Sequence, residues 1–342
     1  MNKRLLNVTL KSVASRAGVH PSTVSRVLAG KPDVRVSRGT RNKILKAASE
    51  LNYHPNTIAR SLKVRKTFTI SVFIPDVGNP VYPEMIHGIE DATAEMGYHV
   101  LFNHMTERSI INKLYLRLLE ENRVDGLLIA TTRTEDSVIQ ELIDRQCNFV
   151  LINRRTMATN NYVAVDDAAG ARIAMNHLVE LGHRRIAHLA GPLIFDTALL
   201  RLQGYRQALA KHGLSYDSAL VEEIDWFSWG SAKEAISRFI EKEDRPTSVF
   251  AGNLLAGIGA ISALNDLGLK VPEDMSVISL HDAPIAEVIT PPMTVVKMPL
   301  YEMGYEGAKA LIDIINGREV KVPQVMPPKN LIIRKSTAPP RT

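Results

Sequence analysis

The sequence predicts a small all-α head followed by an α/β body of two lobes built on parallel sheets. The first observation is segmental charge: residues 1–66 carry 15 Lys or Arg and 2 Asp or Glu, whereas the remaining residues carry 27 and 34. The second is that apolar strand-like runs alternate with helical stretches beyond residue 66, and the alternation starts again near residue 168. A basic segment joined to an acidic body is typical of a nucleic-acid-binding module carried by another domain.

Three short helices that share one core account for residues 9–52. Thr9 and Ser37 are N-cap residues for the first and third helices, and Pro21 suits the first position of the second. Apolar residues recur at helical spacing, and we expect these to face inward: Leu10, Val13, Ala14, Ala17, Val24, Val27, Leu28, Ile44, Leu45, Ala48 and Leu51. The first two helices, joined by a turn at Gly18, form a helix-turn-helix, whose second helix enters the DNA major groove.

The outward side of the second helix supplies the candidates for base contact: Pro21, Ser22, Ser25 and Arg26. Arg26 is the strongest candidate because its planar guanidinium can bind guanine O6 and N7 together. The alternative is that Arg26 contacts a phosphate or only solvent, since most protein–DNA hydrogen bonds go to the backbone. We expect phosphate contacts from Thr23, Arg41, Tyr53 and Asn56.

Residues 57–66 form a candidate hinge between the head and the body. Asn56 can cap a helix over residues 57–64, but about eight residues cannot sustain a helix alone in water because nucleation is too costly. The segment is therefore either a helix that folds on DNA or a flexible linker. Arg60 and Lys63 would contact phosphates or the minor groove.

The body contains two similar series of strands and helices. Strand-like runs begin at Thr69, Tyr98, Gly126, Phe149 and Tyr162 in the first series, and at Arg185, Leu220, Ser248 and Met275 in the second. Helical stretches lie between them near 82–96, 109–121, 135–145, 168–181, 198–212, 231–242 and 254–267. Small molecules bind beyond the carboxyl ends of strands in open parallel sheets, so two facing lobes would share a ligand cleft.

Composition and motifs disfavour several classes of protein. The single cysteine, Cys147, cannot form an internal disulfide or a multi-cysteine zinc site. The chain has no apolar run of about 18 residues and no signal-peptide core, so we expect a cytoplasmic protein with no membrane partner. It has no phosphate-binding glycine loop, nucleophile elbow or His-Glu-x-x-His motif, so we expect neither an enzyme nor a cofactor or metal. His183 and His188 flank a predicted strand and are interpreted as structural.

The chain resembles a known family over nearly its whole length. The runs Val8–Leu28, Val36–Arg41, Leu51–Asn56, Leu181–Pro192 and Leu267–Ile278 are similar to the lactose/galactose repressor (LacI/GalR) family. The resemblance implies a body of two Rossmann-like lobes of the periplasmic-binding-protein type. It places the head at 1–56, the hinge at 57–66, the core at 67–335 and a tail at 336–342. Within the core, lobe 1 is expected at 68–166 and 293–322, and lobe 2 at 167–290 and 323–335.

The resemblance also implies roles for individual residues. Pro21, Ser22 and Arg26 match the family's three principal base-reading positions. Leu62 matches a hinge leucine that wedges into the central base step from the minor groove. The family's effector-binding positions correspond to Tyr82, Asn153, Thr197, Arg201, Trp226 or Phe227, Asn253 and His281.

Three positions depart from the family and concern the effector. His281 replaces a carboxylate that grips sugar hydroxyls, and Asn153 and Leu254 each replace an aspartate. Arg201 with His281 and two amides would suit an effector that carries a carboxylate or phosphate. The alternative is a neutral sugar, with His281 as a neutral hydrogen-bonding substitute. Trp226 and Trp229 either stack on a sugar ring or nucleobase, or belong to an interface or the core.

These features together predict a sequence-specific DNA-binding transcription repressor. We expect a homodimer that binds a pseudo-palindromic operator, with one half-site for each head. A sugar, sugar phosphate or related metabolite would change operator affinity by altering the lobe arrangement. One rival is a soluble sugar-binding protein of the transport type, which would lack the basic head. The other is an α/β sugar enzyme with an accessory DNA-binding head, which would need a nucleophile or paired carboxylates in the cleft.

Overall fold

The structure is a computed structural model that describes residues 8–28, 36–53, 66–76, 78–105, 112–130, 136–225 and 229–341. The chain divides into two compact units, Met1–Thr67 and Phe68–Thr342. The first unit is all-α and the second is α/β, which confirms the predicted fold class. No helix in the described ranges is long and apolar enough to cross a bilayer.

The described part of the head consists of α1 (Leu10–Ala17), α2 (Pro21–Leu28) and α3 (Arg38–Glu50). The predicted caps are confirmed: Thr9 Oγ1 accepts from the Ser12 amide, and Ser37 Oγ accepts from the Thr40 amide. Gly18 ends α1 in the left-handed conformation, with φ 65°, which a residue with a side chain rarely adopts. The helices bury Val13, Ala14, Val24, Val27, Ile44, Ala47 and Ala48 in one core.

One inward-facing prediction in the head is wrong. Leu45 is 48% exposed, whereas Ala47 is buried. Successive helical residues are rotated by about 100°. With Ile44 in the core, the next residue therefore points away, and the residues three and four positions on return to the core. Leu45 thus lies on the solvent side of α3.

The first lobe is built on a sheet in which every pairing is parallel. Its strands are β1 (Thr69–Ile74), β2 (His99–His104), β3 (Gly126–Ile129), β4 (Phe149–Ile152), β5 (Tyr162–Val165) and β11 (Gln324–Met326). They lie in the order β11-β5-β4-β3-β1-β2. The helices described in this lobe are α4 (Tyr82–Glu95), α5 (Leu114–Glu120), α6 (Ser137–Asp144) and α12 (Leu300–Ile315).

The second lobe repeats the design. Its strands are β6 (Ile186–Ala190), β7 (Val221–Glu223), β8 (Ser248–Ala251), β9 (Ser276–Leu280), β10 (Thr294–Lys297) and β12 (Asn330–Ile332), in the order β12-β10-β9-β8-β6-β7. Only β12 runs antiparallel to its neighbour among these described strands. Its helices are α7 (Asp167–Glu180), α8 (Asp196–Lys211), α9 (Trp229–Ile240), α10 (Leu254–Asp266) and α11 (Ile285–Val288).

The predicted lobe assignment of two segments is wrong. β10 was expected in lobe 1, but it pairs with β9 of lobe 2, with Thr294 opposite Ile278. β11 was expected in lobe 2, but it pairs with β5 of lobe 1. The helix between them does belong to lobe 1, because Gly304 lets α12 approach α4 very closely: a Cβ there would lie 2.1 Å from the Met85 carbonyl oxygen. The prediction therefore placed each of these two crossings one strand too early.

The described chain passes between the lobes at residue 166, at residues 298–299 and at residues 327–329. Hydrogen bonds join these passages to neighbouring backbone. The Asp166 amide donates to the Met326 carbonyl at 2.8 Å, and the Lys329 amide donates to the Lys297 carbonyl at 2.9 Å. The passages are therefore held side by side.

Part of the predicted tail, residues 336–342, is integral to lobe 2. Ser336 is fully buried; its Oγ donates to the Val277 carbonyl and accepts from the Thr294 amide. The Ser336 carbonyl in turn accepts from the Val277 amide at 2.8 Å. A buried polar backbone requires such partners, and Ser336 supplies them beside the start of β9. Interpreting this segment as a tail overlooked that requirement.

Candidate functional site

The outward side of α2 brings the predicted base-contact residues together. Ser22, Ser25 and Arg26 are exposed, whereas Val24 and Val27 on the opposite side are buried. The Arg26 Nε donates to the Ser22 carbonyl at 3.3 Å, which holds the guanidinium along the helix surface. Three of the candidate phosphate contacts, Thr23, Arg41 and Tyr53, are half-buried. The geometry of α2 is therefore compatible with the predicted roles.

Several predicted site residues lie outside the described part of the chain. They are the phosphate candidate Asn56, the hinge residues Arg60, Leu62 and Lys63, and the effector candidates Trp226 and Phe227. The Trp229 side chain is also outside it, although its backbone begins α9. These residues keep the roles stated above as predictions.

The remaining effector candidates of the body line one cavity between the lobes. The cavity lies beyond the carboxyl ends of β1, β4, β6, β8 and β9, where open parallel sheets place their ligands. Its volume is about 30 Å³, which is room for one or two water molecules. This is far less than the space that a metabolite-sized ligand occupies. The lining residues are Asn79, Val81, Tyr82, Asn153, Arg154, Thr197, Arg201, Asn253 and His281.

Two of the lining residues have a left-handed backbone. Asn153 follows β4 with φ 68°, and His281 follows β9 with φ 72°. Each amide donates to a neighbouring strand, from Asn153 to Val163 at 3.0 Å and from His281 to Val296 at 2.9 Å. Non-glycine residues adopt this conformation rarely and at a free-energy cost, and such residues cluster at ligand sites. In each lobe, one residue that directly follows a strand lines the cavity with the same uncommon left-handed backbone.

Arg201 forms a buried ion pair with Asp167 behind the cavity wall. Arg201 Nε and Nη2 both lie 2.7 Å from Asp167 Oδ1, and Nη1 donates to the Gly252 carbonyl at 2.8 Å. Burial raises the pKa of the Asp167 carboxyl, but the permanently charged guanidinium at this distance favours its ionised form. The charge of Arg201 is therefore balanced within the protein.

Arg154 presents the opposite situation. The residue is 2% exposed, and among the described residues its Nε and Nη1 have no hydrogen-bond partner. The guanidinium lies 3.6 Å from the centre of the Phe195 ring, which supports its flat face by a cation–π contact. Burial lowers the pKa of this guanidinium, yet an arginine stays protonated in proteins. Arg154 is thus a buried cation whose Nε and Nη1 donors are unused.

The other lining groups are neutral. Burial, and next the charge of Arg201, hold the pKa of His281 well below its ordinary value, and its Nδ1 has no partner. Burial raises the pKa of the Tyr82 hydroxyl to about 12. The Thr197 hydroxyl is buried without a partner. Asn253 Oδ1 caps α10 by accepting from the Ala256 amide at 2.8 Å, so half of its amide is committed to the fold.

Sequence reasoning missed four residues of this site. Arg154 directly follows Asn153, and Asn79 and Val81 belong to the run before Tyr82, so adjacency to predicted positions was the available signal. Asp167 gave no such signal, because it does not line the cavity and acts through Arg201. The interpretation of two histidines as structural is confirmed. His183 bonds Thr247 and the Ala338 carbonyl, and His188 stacks between Tyr205 and Phe250.

A second pair of charges connects the lobes beside the cavity. Arg155 of lobe 1 donates from Nε to Asp196 Oδ2 of lobe 2 at 3.3 Å. Burial, and next the charge of Asp167, raise the pKa of Asp196 to about 6. The described residues contain no group of three or more His, Cys, Asp or Glu that could hold a metal ion.

Comparison with known proteins agrees with both units. A family profile of lacI-type bacterial regulatory proteins matches residues 9–56, and one of a periplasmic binding protein-like domain matches residues 175–337. The HTH-type transcriptional repressor CytR of Escherichia coli (strain K12) is 34% identical over 330 residues, which cover 96% of each chain. The HTH-type transcriptional regulator CelR of Thermobifida fusca is 35% identical and covers 96% of this chain and 98% of its own.

Solved structures extend the likeness to the whole fold. The Lac repressor dimer bound to operator and the anti-inducer ONPF has a TM-score of 0.82 and 29% identity, covering 97% of this chain and 99% of its own. A CelR–cellobiose complex has a TM-score of 0.73 and 33% identity, covering 96% and 99%. Together with the helix-turn-helix head and the two-lobed body, these matches identify the protein. The chain belongs to the lacI family of bacterial regulatory proteins and is a DNA-binding transcription regulator.

Proposed function

We propose that the protein is a homodimeric repressor whose affinity for a pseudo-palindromic operator is set by a small molecule bound in the inter-lobe cavity. The observation that carries the cavity's role is that three of its lining residues have buried polar atoms without a hydrogen-bond partner among the described residues: Arg154 Nε and Nη1, Thr197 Oγ1 and His281 Nδ1. Buried polar groups are almost always satisfied. A ligand that supplied the missing partners would therefore be favoured there.

The class of effector follows from the lining and from the relatives. Two solved relatives hold small molecules, cellobiose in CelR and ONPG in the Lac repressor. Tyr82, Asn153, Thr197, Arg201, Asn253 and His281 supply hydroxyl, amide, guanidinium and imidazole groups to the same space. We assign a sugar, sugar phosphate or related metabolite to the cavity. Its differential affinity for the open and closed lobe arrangements would shift operator affinity, reciprocally with DNA.

DNA recognition is assigned to α2, with Pro21, Ser22, Ser25 and Arg26 at base edges and Thr23, Arg41, Tyr53 and Asn56 at phosphates. Arg26→Ala should weaken binding about 5- to 100-fold, chiefly at operators that keep one particular guanine. Arg41→Ala should weaken all operators alike and reduce the salt dependence of binding. The test is selection of binding sites from random duplexes, followed by affinity measurements on a single-base operator panel. Equal losses across the panel for both variants would refute the assignment.

The hinge is proposed as the link between cavity and DNA. Residues 57–66 would fold as a helix on DNA, with Leu62 wedged into the minor groove and Arg60 and Lys63 beside it. Leu62→Ala should then reduce operator bending without changing the circular dichroism of the free protein. A bend unchanged in a circular-permutation mobility assay would contradict this role.

We propose no reaction at the cavity, no cofactor, and a site of action at the chromosome in the bacterial cytoplasm. Regulators of this family act by binding. Addition of a metabolite panel to a protein–operator complex tests the regulatory function directly. Release or tightening of the complex by one class of compound is the expected result, and a complex indifferent to all of them contradicts effector control.

A further inference from the structure

The charges that line the inter-lobe cavity do not balance. Among the described lining residues, Arg154 and Arg201 are the permanently charged side chains, and Tyr82 and His281 are neutral at neutral pH for the reasons given above. Arg201 is balanced by Asp167 at 2.7 Å. The Arg155 guanidinium beside the cavity is paired with Asp196. Among the described residues, no carboxylate lies within ion-pair distance of Arg154, and Asp196 and Asp167 act on its charge only from farther away.

The surroundings of Arg154 hold the guanidinium for an in-plane partner. Phe195 of lobe 2 covers one face at 3.6 Å, so the ring restricts rotation of the plane. The atoms without partners, Nε and Nη1, donate in that plane. Nε and Nη1 lie on opposite sides of the guanidinium, so a carboxylate or phosphate would accept a charge-assisted hydrogen bond from one of them, and its charge would balance that of Arg154. A neutral hydroxyl group would leave the charge of Arg154 balanced only by the more distant Asp196 and Asp167, which is less favourable in a buried site.

We infer that the effector is an oxyanion, a metabolite bearing a carboxylate or a phosphate, and that Arg154 is the residue that binds the anionic group. The inference rests on the proposed function, since it concerns the ligand of the same cavity. It differs from the sequence-based hypothesis in the residue responsible. Arg201 serves the fold through Asp167, and the neutral His281 and Thr197 are left to bind uncharged parts of the ligand through Nδ1 and Oγ1.

The test uses matched pairs of a neutral compound and its anionic derivative on the full-length protein. Suitable pairs are glucose with glucose 6-phosphate and with gluconate, ribose with ribose 5-phosphate, and cytidine and adenosine with their monophosphates. Inorganic phosphate and acetate at constant ionic strength serve as fragments. Thermal shift identifies binders, and isothermal titration calorimetry measures their affinity. We expect binders to be anionic, with the neutral member of the pair at least about tenfold weaker.

Two variants identify the residue. Arg154→Met keeps the apolar contact with Phe195 but removes the charge, and it should weaken the anionic ligand about 10- to 100-fold. Arg154→Lys keeps the positive charge but not the planar guanidinium, so its affinity for the anionic ligand should lie between those of Arg154→Met and the wild type. The matched control is Arg145→Met, an exposed arginine of the same lobe that pairs with Glu120 and does not line the cavity, which should change affinity less than about threefold. Unchanged melting of the unliganded Arg154→Met protein shows that binding, not folding, was lost.

The outcomes separate this inference from the function on which it rests. If neutral compounds bind as tightly as their anionic partners, or if Arg154→Met keeps its affinity for the anion, the oxyanion assignment is wrong while effector control stands. If no anionic compound or fragment binds at millimolar concentration, the assignment is likewise wrong. If binders of either kind leave operator affinity unchanged, the proposed function fails instead.

Discussion

The two guanidinium groups that line the cavity come from opposite lobes and are treated in opposite ways. Arg201 of lobe 2 is held by Asp167 and a backbone carbonyl, whereas Arg154 of lobe 1 rests on Phe195 with Nε and Nη1 unpartnered. Both are about equally buried. Residue type and burial therefore do not reveal the role of a buried charge; its partners do. Arg201 is part of the fold, and Arg154 is available to a ligand.

The largest expected effect is on Arg201. Arg201→Met should lower the free energy of unfolding by about 3–5 kcal/mol, because it leaves the Asp167 charge buried without compensation. Urea denaturation of the purified protein measures this. The double variant Arg201→Met/Asp167→Asn is the control and should recover part of the loss. If Arg201→Met were as stable as the double variant, the charge of Asp167 would not need Arg201, and the contrast between Arg201 and Arg154 would be wrong.

The variant Asp196→Asn should change how the free energy of unfolding depends on pH. The folded-state pKa of Asp196 is raised to about 6 from an ordinary value of 3.8. The unfolded chain therefore loses the proton first, and wild-type stability falls as pH rises between about 4 and 6. The variant, which faces the same Arg154, Arg155 and Asp167, lacks this loss. It should match the wild type near pH 4 and gain about 1–3 kcal/mol on it by pH 7. A stability difference that does not change with pH would contradict the raised pKa.

Two variants of Asn253 test whether this lining residue of lobe 2 also stabilises the fold. Asn253→Ala removes the cap of α10 and should cost about 1 kcal/mol. Asn253→Asp keeps a capping oxygen and should stay within about 0.5 kcal/mol of the wild type. Thermal unfolding compares the three proteins. If the Asn253→Ala variant were as stable as the Asn253→Asp variant, the amide oxygen of Asn253 would have no structural role.

The smallest expected effect is on the stability of unliganded Arg154→Met, a change within about 1 kcal/mol. The variant loses the cation–π contact with Phe195 but also loses a buried charge that has no ion-pair partner among the described residues, and these effects oppose each other. Urea denaturation beside Arg201→Met gives the direct contrast. A loss as large as that of Arg201→Met would show that Arg154 has a structural partner and would remove the difference between the two arginines.

The sequence predicted what depends on local pattern and missed what depends on partners. The strand β1 and the caps at Thr9 and Ser37 follow from apolar runs and capping residues, and they lie where they were expected. Tyr82, Asn153 and Arg201, which the family resemblance assigned to the effector site, line one cavity beyond the edge where the parallel strands end. The pairing of β10 and β11 with opposite lobes could not be predicted, since three- or four-residue strands carry no signal for their sheet.

The charge state of the cavity escaped prediction for a related reason. Asp167 lies 34 positions from Arg201 in the sequence, and nothing in its local pattern distinguishes it from an ordinary helix-start aspartate. Arg154 is one of two consecutive arginines, and only the fold separates the one that lines the cavity from the one that pairs with Asp196. Partner identity is a property of the tertiary structure.

The three neighbouring passages between the lobes have a mechanical consequence. Residues 166, 298–299 and 327–329 are held together by main-chain hydrogen bonds. The two lobes are therefore joined along one margin, which serves as an axis of rotation. Rotation about that margin is easier than sliding, so a metabolite enters and escapes on the side away from it. Proline substitution at Asp166 or Lys329, which do not line the cavity, removes one of these donating amides and would then alter the residence time of the effector more than its contacts.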